Sequence, residues 1–97
     1  RSAEGAEAKY LISQIFFDQK NTERAEKEVF DYIEQGTPHQ YWLARTFILL
    51  ADIYHEKGDD FQARQYLEGL KESYDAKDDI ASMMEQRLAA WGESNNE

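Results

Sequence analysis

Apolar residues recur about every 3.6 positions along nearly the whole chain, and no stretch alternates between apolar and polar positions as a strand would. The pattern is interrupted at four places, residues 21–22, 36–38, 58–60 and 77–79, where polar residues accompany a residue that caps or stops a helix. The chain is therefore predicted to be all-α. The five predicted helices span residues 3–19, 22–35, 39–57, 60–75 and 78–92.

Residues suited to helix ends stand at these interruptions. Asn21 or Thr22 is predicted to cap the second helix, because a short side-chain oxygen accepts hydrogen bonds from the free amides of the first turn. Gly36 suits the left-handed residue that ends this helix. Asp59, with Gln62 three residues later, has the spacing of a capping box for the fourth helix.

The loops between the predicted helices are short, so consecutive helices are expected to pack as antiparallel hairpins. The predicted hairpins span residues 3–35 and 39–75, and the helix at 78–92 caps the second one. No segment is long enough to separate two domains, so residues 1–97 are interpreted as a single domain. Residues 93–97 are polar and are expected to fray.

The two hairpins resemble each other when the chain is compared with itself. Ala25 aligns with Ala63, 38 residues further on. At this shift small residues match small ones and large apolar residues match large ones, as close helix crossing requires. The other matching pairs are Ile12 and Leu50, Ser13 and Ala51, Ile15 and Ile53, Phe16 and Tyr54, Val29 and Leu67, and Tyr32 and Leu70.

The second hairpin carries the clearest motif. Residues 50–58 read Leu-Ala-Asp-Ile-Tyr-His-Glu-Lys-Gly, and Ala63, Leu67 and Leu70 follow at helical spacing. This segment resembles a tetratricopeptide repeat in the order and spacing of its leucine, small residues, tyrosine and turn glycine. In its general sequence character the chain is also similar to repeats of bacterial envelope proteins.

The first hairpin departs from this motif, since Phe16 stands for the tyrosine and Lys20 replaces the turn glycine. The repeat is also longer than the usual ~34 residues, which places about four additional residues around residues 36–42. Phe47 stands where the family often has tryptophan. The resemblance implies stacked hairpins in a right-handed superhelix, with the last helix as a half-repeat or cap.

The resemblance also implies a function, because in tetratricopeptide arrays the first helix of each hairpin lines a concave groove that binds peptides. On these helices, Tyr10 and Phe17 beside Ile48 are either exposed apolar anchors or side chains packed against neighbouring helices, and the sequence leaves both open. The expected groove residues are Glu7, Tyr10, Gln14, Phe17, Arg45, Ile48, Asp52 and His55.

The cationic clamp by which some members of the family hold a terminal carboxylate is absent from these positions. Glu7 and Asp52 instead favour a partner that carries a basic residue beside an apolar one. The net charge of −9, from 20 acidic and 11 basic residues, opposes binding to nucleic acid or to an anionic membrane surface. The same charge is also explained by solubility alone.

Two further apolar groups have structural and functional interpretations. Tyr41 and Trp42 either staple the loop to the second helix or form another exposed contact patch. The last helix carries an apolar stripe that is expected to close the end of the stack, with Met83 as an adaptable neighbour. The stripe comprises Ile80, Met84, Leu88 and Trp91.

Little in the chain supports catalysis, and no cofactor is expected. There is no cysteine, no phosphate-binding glycine loop and no nucleophile elbow. Asp52 and His55 have metal-ligand spacing on a helix, but no second such motif accompanies them. His39 follows a proline in a turn without a nucleophile near it in sequence. Gly69, inside the fourth helix, is interpreted as permitting close helix contact.

The longest apolar runs, such as residues 47–51, are too short to span a bilayer, so no membrane insertion is expected. The chain has neither an initiator methionine nor the apolar core of a signal peptide, and it is interpreted as a fragment of a longer protein. Two and a half repeats are few for a stable array, which favours either further repeats or self-association. Cytoplasmic and periplasmic locations both remain compatible with the composition.

Overall fold

A computed structural model of the chain describes residues 2–95, and within them the side chains of residues 2–92. The described residues form five helices without strands, which confirms the all-α prediction. The last helix begins two residues later than predicted and continues past residue 93, where fraying was expected; residues 96–97 lie outside the described part. The helices are α1 (Ala3–Asp18), α2 (Thr22–Gln35), α3 (Gln40–Glu56), α4 (Asp60–Ser73) and α5 (Ile80–Asn95).

The predicted N-caps form at two helix starts, but the reciprocal bond of the capping box does not, since the Asp59 amide donates to the Tyr54 carbonyl oxygen. The Asn21 side chain accepts a hydrogen bond from the Arg24 amide at 3.3 Å, and Asp59 accepts one from the Gln62 amide at 3.2 Å. Each bond satisfies an amide of a first turn that has no partner within its helix. Gly36 has the expected positive φ, 76°, but its ψ of 157° is extended, so the backbone leaves α2 in a different direction from a left-handed turn.

The turn after α1 contains a non-glycine residue with positive φ. Lys20 has φ 66°, and Gly58, its counterpart 38 residues later, has φ 86°. A side chain in this region costs about 1 kcal/mol because its Cβ crowds the neighbouring carbonyl. Replacing Lys20 with glycine is therefore expected to raise the free energy of unfolding by about 1 kcal/mol, measured by urea denaturation. Gly58→Ala is the opposite control and should lower it by about the same amount; equal midpoints for Lys20→Gly and wild type would contradict the prediction.

The helices pack as two hairpins followed by a single helix. α1 pairs with α2 and α3 pairs with α4, while α3 also contacts α1, α2 and α5. α3 is consequently the most buried helix, with Leu49, Leu50 and Ile53 on one side and Ala44 and Ile48 on another. This central position explains why its sequence is the most apolar of the five.

Two apolar clusters form the core. The first joins the two hairpins and the second joins the second hairpin to α5, and partly buried rings such as Phe47 and Tyr66 contact both. The first cluster comprises Ala6, Tyr10, Ala25, Val29, Tyr32, Leu49, Leu50 and Ile53. The second cluster comprises Ala44, Ile48, Ala51, Ala63, Leu67, Leu70, Ile80, Met84 and Trp91.

The apolar stripe of the last helix is core, as predicted. Ile80, Met84 and Trp91 are buried against α3 and α4, and Leu88 is partly buried beside them. The interpretation of Gly69 is wrong, however. A Cβ added there would have no atom within 4 Å, so this glycine does not permit a close helix contact.

A polar junction between α2 and the end of α3 links the two hairpins. The Tyr54 hydroxyl donates to Glu26 Oε2 at 2.8 Å, and Lys57 Nζ donates to Glu26 Oε1 at 2.7 Å. Burial opposes the charge on Glu26, but these two hydrogen bonds outweigh it and lower the Glu26 pKa. Burial and the hydrogen bond to Glu26 raise the pKa of Tyr54 from 10.0 to about 12.

This junction predicts a stability loss in alkali. Because the pKa of Tyr54 is higher in the folded state, its contribution is fully present below pH ~10 and is lost as the pH rises through about 12. The free energy of unfolding of the wild type should therefore fall over this pH range. That of the Tyr54→Phe variant should fall less steeply. Tyr74, whose pKa is also raised to about 12 by burial and Asp78, keeps its own contribution in that variant. Identical pH slopes in urea titrations of wild type and Tyr54→Phe would show that the junction does not titrate in this way.

Candidate binding surface

The first helices of the hairpins form one layer of the molecule. α3 contacts both α1 and α5, whereas α2 and α4 do not contact each other within the described residues. Polar side chains bridge α1 to α3 and α3 to α5 along this layer. We call this surface the inner face. Its bridging residues are Tyr10, Tyr41, Arg45, Asp52, His55 and Arg87, and Gln14 bonds to Tyr10 within α1.

Arg45 is the centre of the joint between α1 and α3. Its Nη1 donates to the Tyr41 hydroxyl at 2.9 Å, and its Nη2 donates to the Tyr10 hydroxyl at 3.2 Å. The guanidinium lies 4.9 Å from the centroid of the Tyr10 ring, within cation–π range. Burial opposes the charge on Arg45, but the hydrogen bonds to Tyr41 and Tyr10 outweigh it and raise the Arg45 pKa. Arg45 is thus held in one position as a cation.

The hydrogen bonds continue from this arginine along both neighbouring elements. On α1 the Tyr10 hydroxyl donates to Gln14 Oε1 at 2.8 Å, and Gln14 Nε2 donates to Asp18 at 2.9 Å. Toward α5 the Tyr41 hydroxyl donates to Asp79 at 2.8 Å. Burial and Asp79 raise the pKa of Tyr41, and Arg45 only partly opposes this. The inner face is therefore a connected network rather than a set of free side chains.

A bidentate ion pair connects α3 to α5. Arg87 Nε and Nη2 donate to the two oxygens of Asp52 at 2.8 and 2.9 Å, and both side chains are about a quarter exposed or less. The planar guanidinium matches the carboxylate, which gives this pair a fixed geometry. Asp52 thus already has a cation within the chain, and its expected role toward a basic partner stays a prediction.

His55 has contacts of its own beside this pair. Its Nδ1 lies 2.6 Å from Asp60 Oδ1, and its ring stacks on Trp91 with the centroids 4.6 Å apart. Asp52 and His55 consequently contact different groups despite their metal-ligand spacing. Residues 2–95 contain no group of three or more histidine or acidic side chains placed to hold a metal ion.

The predicted groove residues differ in exposure. Tyr10 and Ile48 are only 4% and 1% exposed, so of the two interpretations that the sequence left open, packing against neighbouring helices holds for Tyr10, and Ile48 beside it is core. Phe17 is partly buried against the first cluster and keeps part of its ring accessible. Glu7 is exposed, and the remaining four, Gln14, Arg45, Asp52 and His55, are half-buried.

Tyr41 and Trp42 pack rather than form an exposed patch. The Trp42 ring lies 5.6 Å from the Tyr10 ring and packs against the first cluster. Tyr41 contacts Trp42 edge-on at 5.0 Å and reaches Asp79. The staple therefore exists, but it joins the start of α3 to α1 and to the start of α5 rather than to the second helix alone.

Sequence reasoning missed Arg87 and Asp79 as part of this surface. Each contacts a residue of α3 or its first turn that lies 35 or 38 positions earlier in the chain. No local pattern marks either residue, since a charged residue before a helix or within an amphipathic one is ordinary. Only the packing of α5 beside α3 brings them into the network.

Comparison of the chain with protein-family models, with curated proteins and with solved structures gave no match. None of the helices within residues 2–95 combines the length and apolar character that crossing a bilayer requires.

Proposed function

We propose that the chain is a protein–protein interaction module that binds partner segments along the inner face, as the resemblance to tetratricopeptide repeats implies. The observation that supports this best is that hydrogen bonds of Arg45 and Arg87 connect the three helices of this layer, α1, α3 and α5. Side chains that are already held in place lose little conformational entropy when a partner binds. A preorganised face of this kind is suited to recognition.

The chemistry of the face suggests the character of the partner. Phe17 and His55 offer partly accessible rings, and Glu7 offers an exposed carboxylate at the α1 end. The strongly acidic net charge adds a long-range attraction for basic chains. A peptide segment with one apolar side chain and neighbouring lysine or arginine residues fits this combination.

We propose in addition a non-catalytic role, and the same contacts support it. The two residues with metal-ligand spacing, Asp52 and His55, are engaged by Arg87 and Asp60. A role in phosphate or nucleic-acid binding is disfavoured, because Arg45 and Arg87 are hydrogen-bonded within the chain and the exposed Glu7 is acidic.

A peptide library displayed against the intact chain tests the proposal. We expect enriched peptides to combine basic and apolar residues, and Phe17→Ala and Glu7→Lys to weaken their binding by about tenfold, or ~1.4 kcal/mol. Phe61→Ala is the matched control, because Phe61 is 72% exposed on α4, outside the inner face. Circular dichroism establishes that each variant is equally helical.

Two results would contradict the proposal. One is the absence of any enriched peptide. The other is a set of peptides whose affinity changes as much with Phe61→Ala as with Phe17→Ala and Glu7→Lys, since binding would then take place elsewhere.

A second candidate function is structural, as a unit that stacks within a larger helical assembly. Exposed aliphatic side chains on α1, at Leu11, Ile12 and Ile15, favour it. This surface is separate from the inner face, and the two functions are compatible.

A further inference from the structure

α1 exposes three aliphatic side chains on one side. Leu11 is 45% exposed, Ile12 46% and Ile15 52%, and we call this surface the end face. Single exposed aliphatic residues are common on proteins and need no explanation. Three within two helical turns, each at a position that matches a core position of the same chain, do need one.

The matching positions on α3 are completely covered. Leu49, Leu50 and Ile53 stand 38 residues after the end-face residues and are 1%, 0% and 0% exposed. The cover is the first hairpin, through small and large apolar residues of both its helices. These residues are Ala6, Tyr10, Ala25, Val29 and Tyr32.

The same joint occurs a second time, 38 residues further along. Leu88 and Trp91 of α5 are the counterparts of Leu50 and Ile53, and Trp91 is buried while Leu88 is partly buried. The cover is now the second hairpin, through the counterparts of the residues just named. These residues are Ala44, Ile48, Ala63, Leu67 and Leu70.

The chain therefore contains this type of joint twice, each time between the apolar side of one helix and the hairpin before it. In the second joint the counterpart of Leu49 is Arg87, which pairs with Asp52 instead of packing in the cluster. The end face is the same apolar side on α1. A second copy of the chain has no free surface of the covering type, because α3 occupies the one on its first hairpin and α5 occupies the one on its second. The missing cover is thus a separate hairpin rather than this chain in its folded form.

We propose that the end face is a docking site for a further helical hairpin, which covers Leu11, Ile12 and Ile15 as α1 and α2 cover Leu49, Leu50 and Ile53. The hairpin is defined by its chemistry. It presents an alanine on each helix where the helices cross, with large apolar side chains one turn away, as Ala6 with Tyr10 and Ala25 with Val29 do. This proposal rests on the second candidate function and names the chemistry of its partner; it concerns a surface other than the inner face, so its failure leaves peptide binding there untouched.

The test is an extended chain in which residues 1–38 are repeated ahead of residues 1–97, which keeps the 38-residue register. Carbene footprinting with mass spectrometry measures the labelling of the original end-face residues. We expect their labelling to fall to the level of Leu50 and Ile53, and the urea midpoint to rise. In the 97-residue chain the same three residues should label strongly.

An acidic pair, Ile12→Asp with Ile15→Asp, provides the matched comparison. In the 97-residue chain the pair should leave the urea midpoint nearly unchanged, since both side chains face solvent. When the pair is placed in the original 97 residues of the extended chain, it should restore strong labelling of the end face and abolish the rise in urea midpoint. Phe61→Asp, at another exposed apolar position, should have no effect in either chain.

Four results would overturn the proposal. The added hairpin could fail to become helical by circular dichroism, or leave the end-face labelling unchanged. The acidic pair could be tolerated in the extended chain. Alternatively, sedimentation could show that the 97-residue chain is a dimer in which Ile12 and Ile15 are protected and which the acidic pair dissociates; the occupant would then be a second copy.

Discussion

Replacing Leu50 with alanine is expected to lower the free energy of unfolding by about 2–5 kcal/mol, whereas Ile12→Ala should change it by less than about 1 kcal/mol. The two residues occupy the same position of the repeat and differ in exposure, 0% for Leu50 and 46% for Ile12. Leu50→Ala removes apolar contacts and leaves a cavity between the hairpins. Ile12→Ala removes a side chain that already faces solvent, and alanine favours the helix slightly more.

Urea denaturation of both variants, followed by circular dichroism, measures this difference. Ile53→Ala and Ile15→Ala form a second matched pair at 0% and 52% exposure and should behave in the same way. Equal losses for Leu50→Ala and Ile12→Ala would mean that the end face is already covered in solution or that the joint between the hairpins does not form as described.

Trp91→Ala is expected to lower the free energy of unfolding by about 3–5 kcal/mol. Trp91 is buried in the second cluster and stacks on His55, so its removal takes away apolar contact between α5 and α3 and leaves a cavity. The matched control is Phe61→Ala, which should cost less than about 0.5 kcal/mol because Phe61 is exposed.

The chain contains one other tryptophan, Trp42, whose fluorescence reports which part of the Trp91→Ala variant unfolds first. Trp42 lies at the joint between α1 and α3, where its ring contacts Tyr10 and packs against the first cluster. If α5 detaches first, helical content falls before the Trp42 fluorescence changes, as expected for stacked repeats that interact only with their neighbours. A loss below about 1 kcal/mol would show that α5 is not the closing element of the core.

The stability losses expected at Leu50 and Trp91 affect the two proposed surfaces differently. The inner face depends on the joints, because Arg45 connects α1 to α3 and Arg87 connects α3 to α5. Variants for binding studies should therefore leave these two arginines in place and change Phe17 or Glu7. The end face depends only on α1, so the acidic pair at Ile12 and Ile15 can be examined without disturbing the network.

Much of the fold could be predicted from the chain alone because its causes are local. The 3.6-residue period, the caps at Asn21 and Asp59 and the short loops act within a few residues of one another, and they define five helices and two hairpins. The 38-residue repeat also predicted that Ala25, Val29 and Tyr32 are equivalent to residues of the second hairpin. All of them are core.

The candidate site could be predicted only in part. The spacing of Tyr10, Arg45, Asp52 and His55 placed them correctly along first helices, but their partners were not visible. Arg87 engages Asp52 across 35 residues, and Arg45 engages Tyr10 across the same distance. Whether a charged side chain is free or paired depends on which element packs beside it, and helical periodicity carries no information about that.

The sequence by itself determined which residues of each helix are apolar, where the helices end and that one hairpin repeats the other. Only the tertiary structure decided which of two equivalent apolar positions is buried. Ile12 and Leu50 have the same place in the repeat, yet a hairpin precedes α3 and covers Leu50, while within the described chain none covers Ile12. Burial is a property of the neighbouring surface as well as of the residue, and the neighbour is set by the order in which the hairpins stack.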